Sequence, residues 1–297
     1  MIEENNPALS NPLGINGLEF IEYSTSQPQV LGSLLQKLGF RPIARHRSRE
    51  VTLYRQGSMN LVVNAHSDLR AVAAPLTATP VISAIALRVR DAGAAWQHAC
   101  DLGAWEIPTH ASAMELNIPG IRGVDDSYIY FVDRYENLTI YDVDFVALPD
   151  VNQHPPAVAG LHYFGVVQTI YSDRTPEWIA FYRDLFSFSE LPGGKYFGVL
   201  PKGTLLESPC HTFYLQLIEP PPGAEEVAWD ERLVRIGLGT PDVPEATRAL
   251  AAAGVVFVDR GPVQPNEKGA LTQIYLGGVT FELVHSHLQG GGSERAA

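Results

Sequence analysis

The sequence predicts an α+β protein of two tandem modules, each a curved sheet with helices outside and a cavity inside. Three observations carry that reading. The chain has 297 residues, long for one core and comfortable for two of roughly 100–150 residues each. One strand–helix pattern is written twice, about 140 residues apart. Between the copies, ALPDVNQHPPAVAG holds Pro149, Pro155 and Pro156, which interrupt both helix and ladder pairing.

The first copy opens on LEFIEYS, which alternates as a half-buried strand does. PQVLGSLLQKLGF follows, with Leu31, Leu34, Leu35 and Leu38 at helical spacing and Gly39 at the stop. In the second copy LHYFGVVQTI precedes TPEWIAFYRDLF, where Pro176 suits a first helical turn and Trp178, Phe181, Tyr182 and Leu185 lie along one face. A further strand–helix pair recurs as AIALRVRDAGAAWQHACDLGA and RIGLGTPDVPEATRALAAAGV, closing at Gly103 and Gly254. Strands YIYFVDRY and LTIYDVDF end the first copy, and LTQIYLG and VTFELVHS the second. The chain thus divides into an N-terminal module (1–148), a linker (149–159), a C-terminal module (160–287) and a tail (288–297) whose glycines offer nothing to bury.

Composition narrows the partners. Hydrophobic residues at 45% against 18% charged residues exclude a disordered chain or a long coiled coil. A net charge of −12 argues against nucleic acid and anionic membranes, which select cationic surfaces, and leaves small molecules or proteins. Cys100 and Cys210 are too few for a disulfide framework or a cysteine-rich zinc site and fit a reducing cytoplasm. MIEENNPALSNPLG lacks the basic start and apolar run of a signal peptide, and no apolar stretch reaches membrane-span length, so a soluble cytoplasmic protein is expected. Homo-oligomer formation stays open. No phosphate-binding glycine loop, nucleophile elbow or paired-cysteine motif points to kinase, serine-hydrolase or zinc-finger chemistry.

Four segments carry a family resemblance: GLEFIEY (17–23), ARHRSREVTLYRQGSMNLVVN (44–64), AMELNIPGIRGV (113–124) and TIYDVDFV (139–146). In this order and spacing the chain resembles bacterial 4-hydroxyphenylpyruvate dioxygenase, of the vicinal-oxygen-chelate superfamily. The resemblance implies a pair of βαβββ-type modules, the N-terminal one mainly structural and the C-terminal one active. It also implies one Fe(II) held by two histidines and a glutamate on three strands, chelating a 2-oxo acid and activating dioxygen. That ligand set suits the chemistry because it leaves coordination positions open.

Carried over residue by residue, the family's glutamate is Glu282, in VTFELVHS, while its histidine positions fall on Gly165 and Arg235. Glycine has no ligand atom and arginine stays protonated, so no cofactor is favoured. Strand parity puts Tyr163, Gly165 and Val167 on one face with Phe164 and Val166 opposite, and puts Arg235, Gly237 and Gly239 together. Gln273 and Tyr275 share a face, Gln273 matching a glutamine beside the family's substrate, and Tyr214 and Gln216 fall where the family lines its pocket. Arg235 is expected to take the place of the metal's charge and to pair with Glu282, because a lone buried carboxylate costs roughly 3–5 kcal/mol.

The leading reading is a binder of a small, aromatic carboxylic or 2-oxo acid, contacted by Arg235, Glu282, Gln273, Tyr275, Gln216, Tyr214 and Tyr163. Its chemistry is metal-independent, of lyase or isomerase type, with Glu282 as general acid or base and Arg235 as anion clamp. One alternative is an Fe(II) dioxygenase with a rearranged ligand set including His162 and Glu282; another is a non-catalytic ligand-binding protein. The basic cluster Arg45, His46, Arg47 and Arg49 reads as a solvated hairpin or lobe interface. The short second half is expected to lack the helix that closes the pocket of the resembled enzyme.

Overall fold

Both copies of the pattern fold on one strand plan. The computed structural model describes residues 10–66, 76–108, 115–193, 197–199, 203–221 and 229–287. The first copy runs β1 (Leu18–Ser24), α1 (Pro28–Lys37), β2 (Arg41–His46), β3 (Val51–Gln56), β4 (Met59–Asn64), β5 (Val81–Arg88), α2 (Ala92–Asp101), β6 (Gly120–Arg122), β7 (Tyr128–Val132), α3 (Ile140–Asp144) and β8 (Phe145–Ala147). The second runs β9 (His162–Thr169), α4 (Thr175–Phe186), β10 (Ser189–Glu190), β11 (Thr204–Glu207), β12 (Tyr214–Ile218), β13 (Arg232–Thr240), α5 (Val243–Ala252), β14 (Gly269–Leu271) and β15 (Thr280–His285).

The first sheet has the order β6-β7-β5-β1-β4-β3-β2-β8 and the second β10-β11-β12-β9-β13-β15-β14. Read from its other end, the second sheet repeats the first strand for strand, with β8 the addition. The repeat in sequence is therefore a repeat of topology, and the tandem α+β architecture is the one the chain adopts. In each sheet the central strands pair antiparallel, β1 with β5 and β9 with β13, and each is flanked by a parallel neighbour. Helices α2 and α5 stop where Gly103 and Gly254 both take φ +91°, a conformation that only glycine adopts without cost.

One hydrophobic core spans both modules. Leu31, Leu34, Leu35 and Leu38 of the α1 segment are buried in it with Ile21 and Tyr23 of β1, and so are Val166 of β9, Leu185 of α4 and Leu238 of β13. Phe131 and Phe186 meet across the modules with ring centroids 6.1 Å apart. The proline-rich connector is tied down by its backbone: the Gly57 N–H donates to the Pro155 carbonyl (2.9 Å), and the Val158 N–H to Gln56 Oε1 (2.9 Å). A second apolar cluster, including Phe20, Val51, Val62, Ala86 and Val132, lines the inner face of the first sheet.

Two strand assignments need correction. LTIYDVDF is not a continuous strand, because Thr139 and Asp142 form a reciprocal capping box that starts the short helix α3, leaving only Phe145 for β8. LTQIYLG leaves the ladder after Leu271 and continues only as isolated bridges at Thr272 and Tyr275. The tail read as flexible lies outside the described residues. Among the described residues, no helix is long and apolar enough to cross a membrane.

Candidate functional site

Register brings the C-terminal site together in two adjacent rungs across four strands. Tyr214, Gly165, Gly237 and Glu282 are successive partners across β12, β9, β13 and β15. Two residues along, Gln216, Val167, Arg235 and Thr280 form the next rung. Both rungs follow from strand pairing, so Arg235 and Glu282, 47 positions apart in sequence, meet without any loop having to place them.

Arg235 and Glu282 are 9% and 4% exposed, and Arg235 Nε lies 3.2 Å from Glu282 Oε2. The other carboxylate oxygen, Oε1, accepts the Val199 N–H at 3.1 Å. Gly198 makes that approach feasible: it holds φ +72°, and a Cβ there would stand 2.1 Å from Glu282 Oε1. Burial pulls the Arg235 pKa below its ordinary value while the Glu282 charge opposes the shift. Despite the ion pair, Arg235 Nε and Nη2 are buried without a hydrogen-bond acceptor, since the Nε–Oε2 approach misses hydrogen-bond geometry. Unsatisfied buried donors of this kind cost roughly 1–3 kcal/mol each.

Beside the pair is a small cavity of about 30 Å³, lined by Phe164, Phe197, Leu205, Tyr214, Gln216 and Glu282 among others. Three rings close it. Phe164 stacks on Tyr214 at 4.9 Å, and Phe197 lies 5.0 Å from Phe164 and 4.9 Å from Tyr214. The Tyr214 hydroxyl donates to Glu207 Oε1 at 3.1 Å, and burial together with that carboxylate pushes its pKa up to about 12.

Parity fails at one point of β9. The β9–β13 ladder slips between Tyr163 and Gly165, so Phe164 bulges onto the cavity face, its ring over Gly237. Tyr163 is not a lining residue; its hydroxyl donates to the Asn60 carbonyl in the other module. Gly239 keeps the face of Arg235 and Gly237, since the β13–β15 ladder runs without a shift from Arg235 to Thr240, and the ring of His162 lies over it. His162 Nδ1 must carry the proton, because its partner at 3.0 Å is the Gly160 carbonyl, and Nε2 faces Ser286 Oγ at 3.3 Å. Both nitrogens are thus committed away from Glu282, and burial lowers the His162 pKa.

Gln273 is exposed and bonded through its backbone to Val256. Tyr275 is clamped to the same residue, its hydroxyl accepting the Val256 N–H at 2.6 Å. Neither side chain is among those around the cavity. Of the residues named from sequence, Arg235, Glu282, Tyr214 and Gln216 come together, whereas Tyr163, Gln273, Tyr275 and His162 do not. Phe164, Phe197 and Val199 were missed. The bulge that reveals Phe164 has no sequence signature, but the Gly198 turn beside Phe197 was a legible hint.

Among the described residues, no three His, Cys, Asp or Glu side chains are grouped to hold a metal ion. Gly165 itself leaves no space for a ligand side chain, since a Cβ would lie 2.3 Å from the Tyr214 carbonyl oxygen.

The duplicated sheet, with its site on the inner face of the second copy, defines a tandem vicinal-oxygen-chelate protein. A family model described as hydroxyphenylpyruvate dioxygenase, HPPD, N-terminal, matches residues 9–146. The 4-hydroxyphenylpyruvate dioxygenase of Pseudomonas sp. (strain P.J. 874) is 38% identical over 206 residues, 68% of this chain and 56% of that protein. That of Pseudomonas aeruginosa is 30% identical over 265 residues, 84% of this chain and 72% of that protein. This chain belongs to the 4-hydroxyphenylpyruvate dioxygenase family. A solved xylose isomerase-like TIM barrel/4-hydroxyphenylpyruvate dioxygenase fusion protein superposes with a TM-score of 0.72 at 23% identity, covering 95% of this chain and 51% of that one, a likeness of fold.

Proposed function

We propose that the C-terminal module binds a small aromatic carboxylic or 2-oxo acid without a metal, Arg235 receiving the acid and Glu282 moving a proton. The observation that carries this reading is the buried Arg235 guanidinium, which keeps Nε and Nη2 without acceptors while pairing with Glu282, a lining residue of the aromatic-walled cavity. A carboxylate supplies two acceptor oxygens in the geometry a guanidinium prefers. The iron expected of the family does not fit these residues: a guanidinium cannot ligate it, Gly165 has no ligand atom, and His162 is committed elsewhere.

A cavity of about 30 Å³ holds little more than one water. An aromatic ligand therefore displaces the Phe197 ring and takes its place against Phe164 and Tyr214. That shift draws Val199 off Glu282 Oε1, freeing a carboxylate oxygen next to the bound acid. Glu282 then takes a proton from the carbon beside the 2-oxo group and delivers it to the oxygen of the resulting enolate, giving the enol. Arg235 balances the negative charge that gathers on the oxygen meanwhile. The overall step is a proton shift, of isomerase type.

Calorimetric titration with phenylpyruvate, in chelator, tests the binding. Saturable one-to-one binding that weakens at least about tenfold in Arg235→Met is expected. Deuterium exchange at the C3 carbon of phenylpyruvate, followed by NMR, tests the chemistry and is expected to fall to background in Glu282→Gln. Binding indifferent to Arg235→Met overturns the site, and exchange indifferent to Glu282→Gln overturns the proton transfer.

A further inference from the structure

A cavity larger than the C-terminal one lies in the other module. Half-open and of about 140 Å³, it lies on the inner face of the first sheet and is close in volume to an apolar cavity known to admit a benzene ring. Its register repeats that of the C-terminal site with the chemistry rearranged: Val62, Glu22, Ala84 and Tyr128 are successive partners across β4, β1, β5 and β7. Phe20, Ala86 and Tyr130 form the rung beside it. The two alanines keep the floor low between an acid on one side and two tyrosines on the other. Phe20 and Tyr128 each stand 5.9 Å from Tyr130, so three rings flank the acid.

Among the described residues, the hydrogen-bond partners of the Glu22 side chain are neutral. Its Oε1 accepts from Asn64 Nδ2 at 3.2 Å and from Ser83 Oγ at 3.0 Å. Arg49, which also lines the cavity, engages Glu115 at 2.5 Å. The cluster read from sequence as a solvated hairpin or lobe interface thus sends His46 and Arg49 to the cavity wall instead. Burial raises the Glu22 pKa, against the opposing pull of its Asn64 and Ser83 hydrogen bonds and of the Arg49 charge.

We propose that this N-terminal cavity is a second ligand site, for a small aromatic amine whose ammonium group pairs with Glu22 and whose ring lies among Phe20, Tyr128 and Tyr130. An ammonium supplies the charge that Asn64 and Ser83 do not, and ring faces favour a cation near them. An acid would place a second negative charge beside Glu22, so this site and the C-terminal one select opposite charges.

Three probes of similar size test it by calorimetry on the full chain near neutral pH: benzylamine as its ammonium, benzyl alcohol and benzoate. Saturable benzylammonium binding is expected, with the alcohol and benzoate at least about tenfold weaker. Glu22→Gln is expected to cost at least about tenfold, and Glu282→Gln nothing. Tyr128→Leu, at a partly exposed position, should cost roughly threefold or more and serves if Glu22→Gln fails to fold. Absent benzylammonium binding at millimolar concentration, a preference for benzoate, or affinity unchanged in folded Glu22→Gln and Tyr128→Leu proteins would each overturn the proposal.

Discussion

Arg235 and Glu282 form a buried pair in which the partners are unequally satisfied. Glu282 has the Val199 N–H as well as the guanidinium, while two Arg235 nitrogens lack acceptors. Removing Arg235 alone leaves the buried carboxylate without its countercharge, so Arg235→Met should lower stability by roughly 3 kcal/mol, whereas Arg235→Met with Glu282→Leu should return close to the parent. Urea denaturation of the two singles and the double measures the coupling, and additive losses would show that the pair does not act as a unit. His162 makes a different prediction. Its folded pKa is lowered, so the stability it contributes is present above its ordinary value of 6.5 and is lost as pH falls through the lower folded value. The melting-temperature advantage of wild type over His162→Gln should therefore shrink on acidification below about pH 6.5; an advantage constant from pH 8 to pH 5 would contradict it. At this scale the sequence was informative about charge: an arginine and a glutamate on the inner faces of two strands called for each other. It offered His162 as an alternative ligand and did not find its partners, the Gly160 carbonyl two residues away and the distant Ser286 hydroxyl.

Between strands, register decides what the site contains, and one slipped residue decides which aromatic faces it. Period-two alternation placed Arg235, Gly237, Tyr214 and Gln216 correctly because the β11–β12, β12–β9 and β13–β15 ladders are regular there. It misplaced Tyr163 and Phe164 because the β9–β13 bulge falls at Phe164. Gln273 and Tyr275 failed for a related reason: their segment has left the sheet, so strand parity no longer governs it. The Phe197–Val199 segment supplies both a ring and a backbone donor to the cavity, and Gly198 is its hinge point. Gly198→Ala should cost roughly 1–3 kcal/mol, from the positive φ and from the carboxylate at its Cβ. The same change should weaken the Val199 contact to Glu282. Chemical denaturation checks the first effect, and a variant as stable as wild type would mean that the segment does not press on Glu282.

At the scale of the molecule, the duplication was legible because each copy carries its own strand, helix and stop signals in the same order. The union of the copies was not, since the contacts that join them link residues far apart in sequence, as in the Tyr163 hydroxyl bond to the Asn60 carbonyl. With one core running through both modules, thermal unfolding should show a single cooperative transition. Two resolved calorimetric peaks would contradict a shared core. The N-terminal cavity escaped the sequence because Glu22, Tyr128 and Tyr130 converge only through the β1–β5–β7 register. The claim on which the functional account turns is that Arg235 stands where the family's chemistry would call for a metal. Its most direct test is phenylpyruvate titration of the same preparation with chelator and with added Fe(II) under anaerobic conditions. The account predicts one affinity in both; binding that appears only with Fe(II), and is lost in Glu282→Gln, would contradict it.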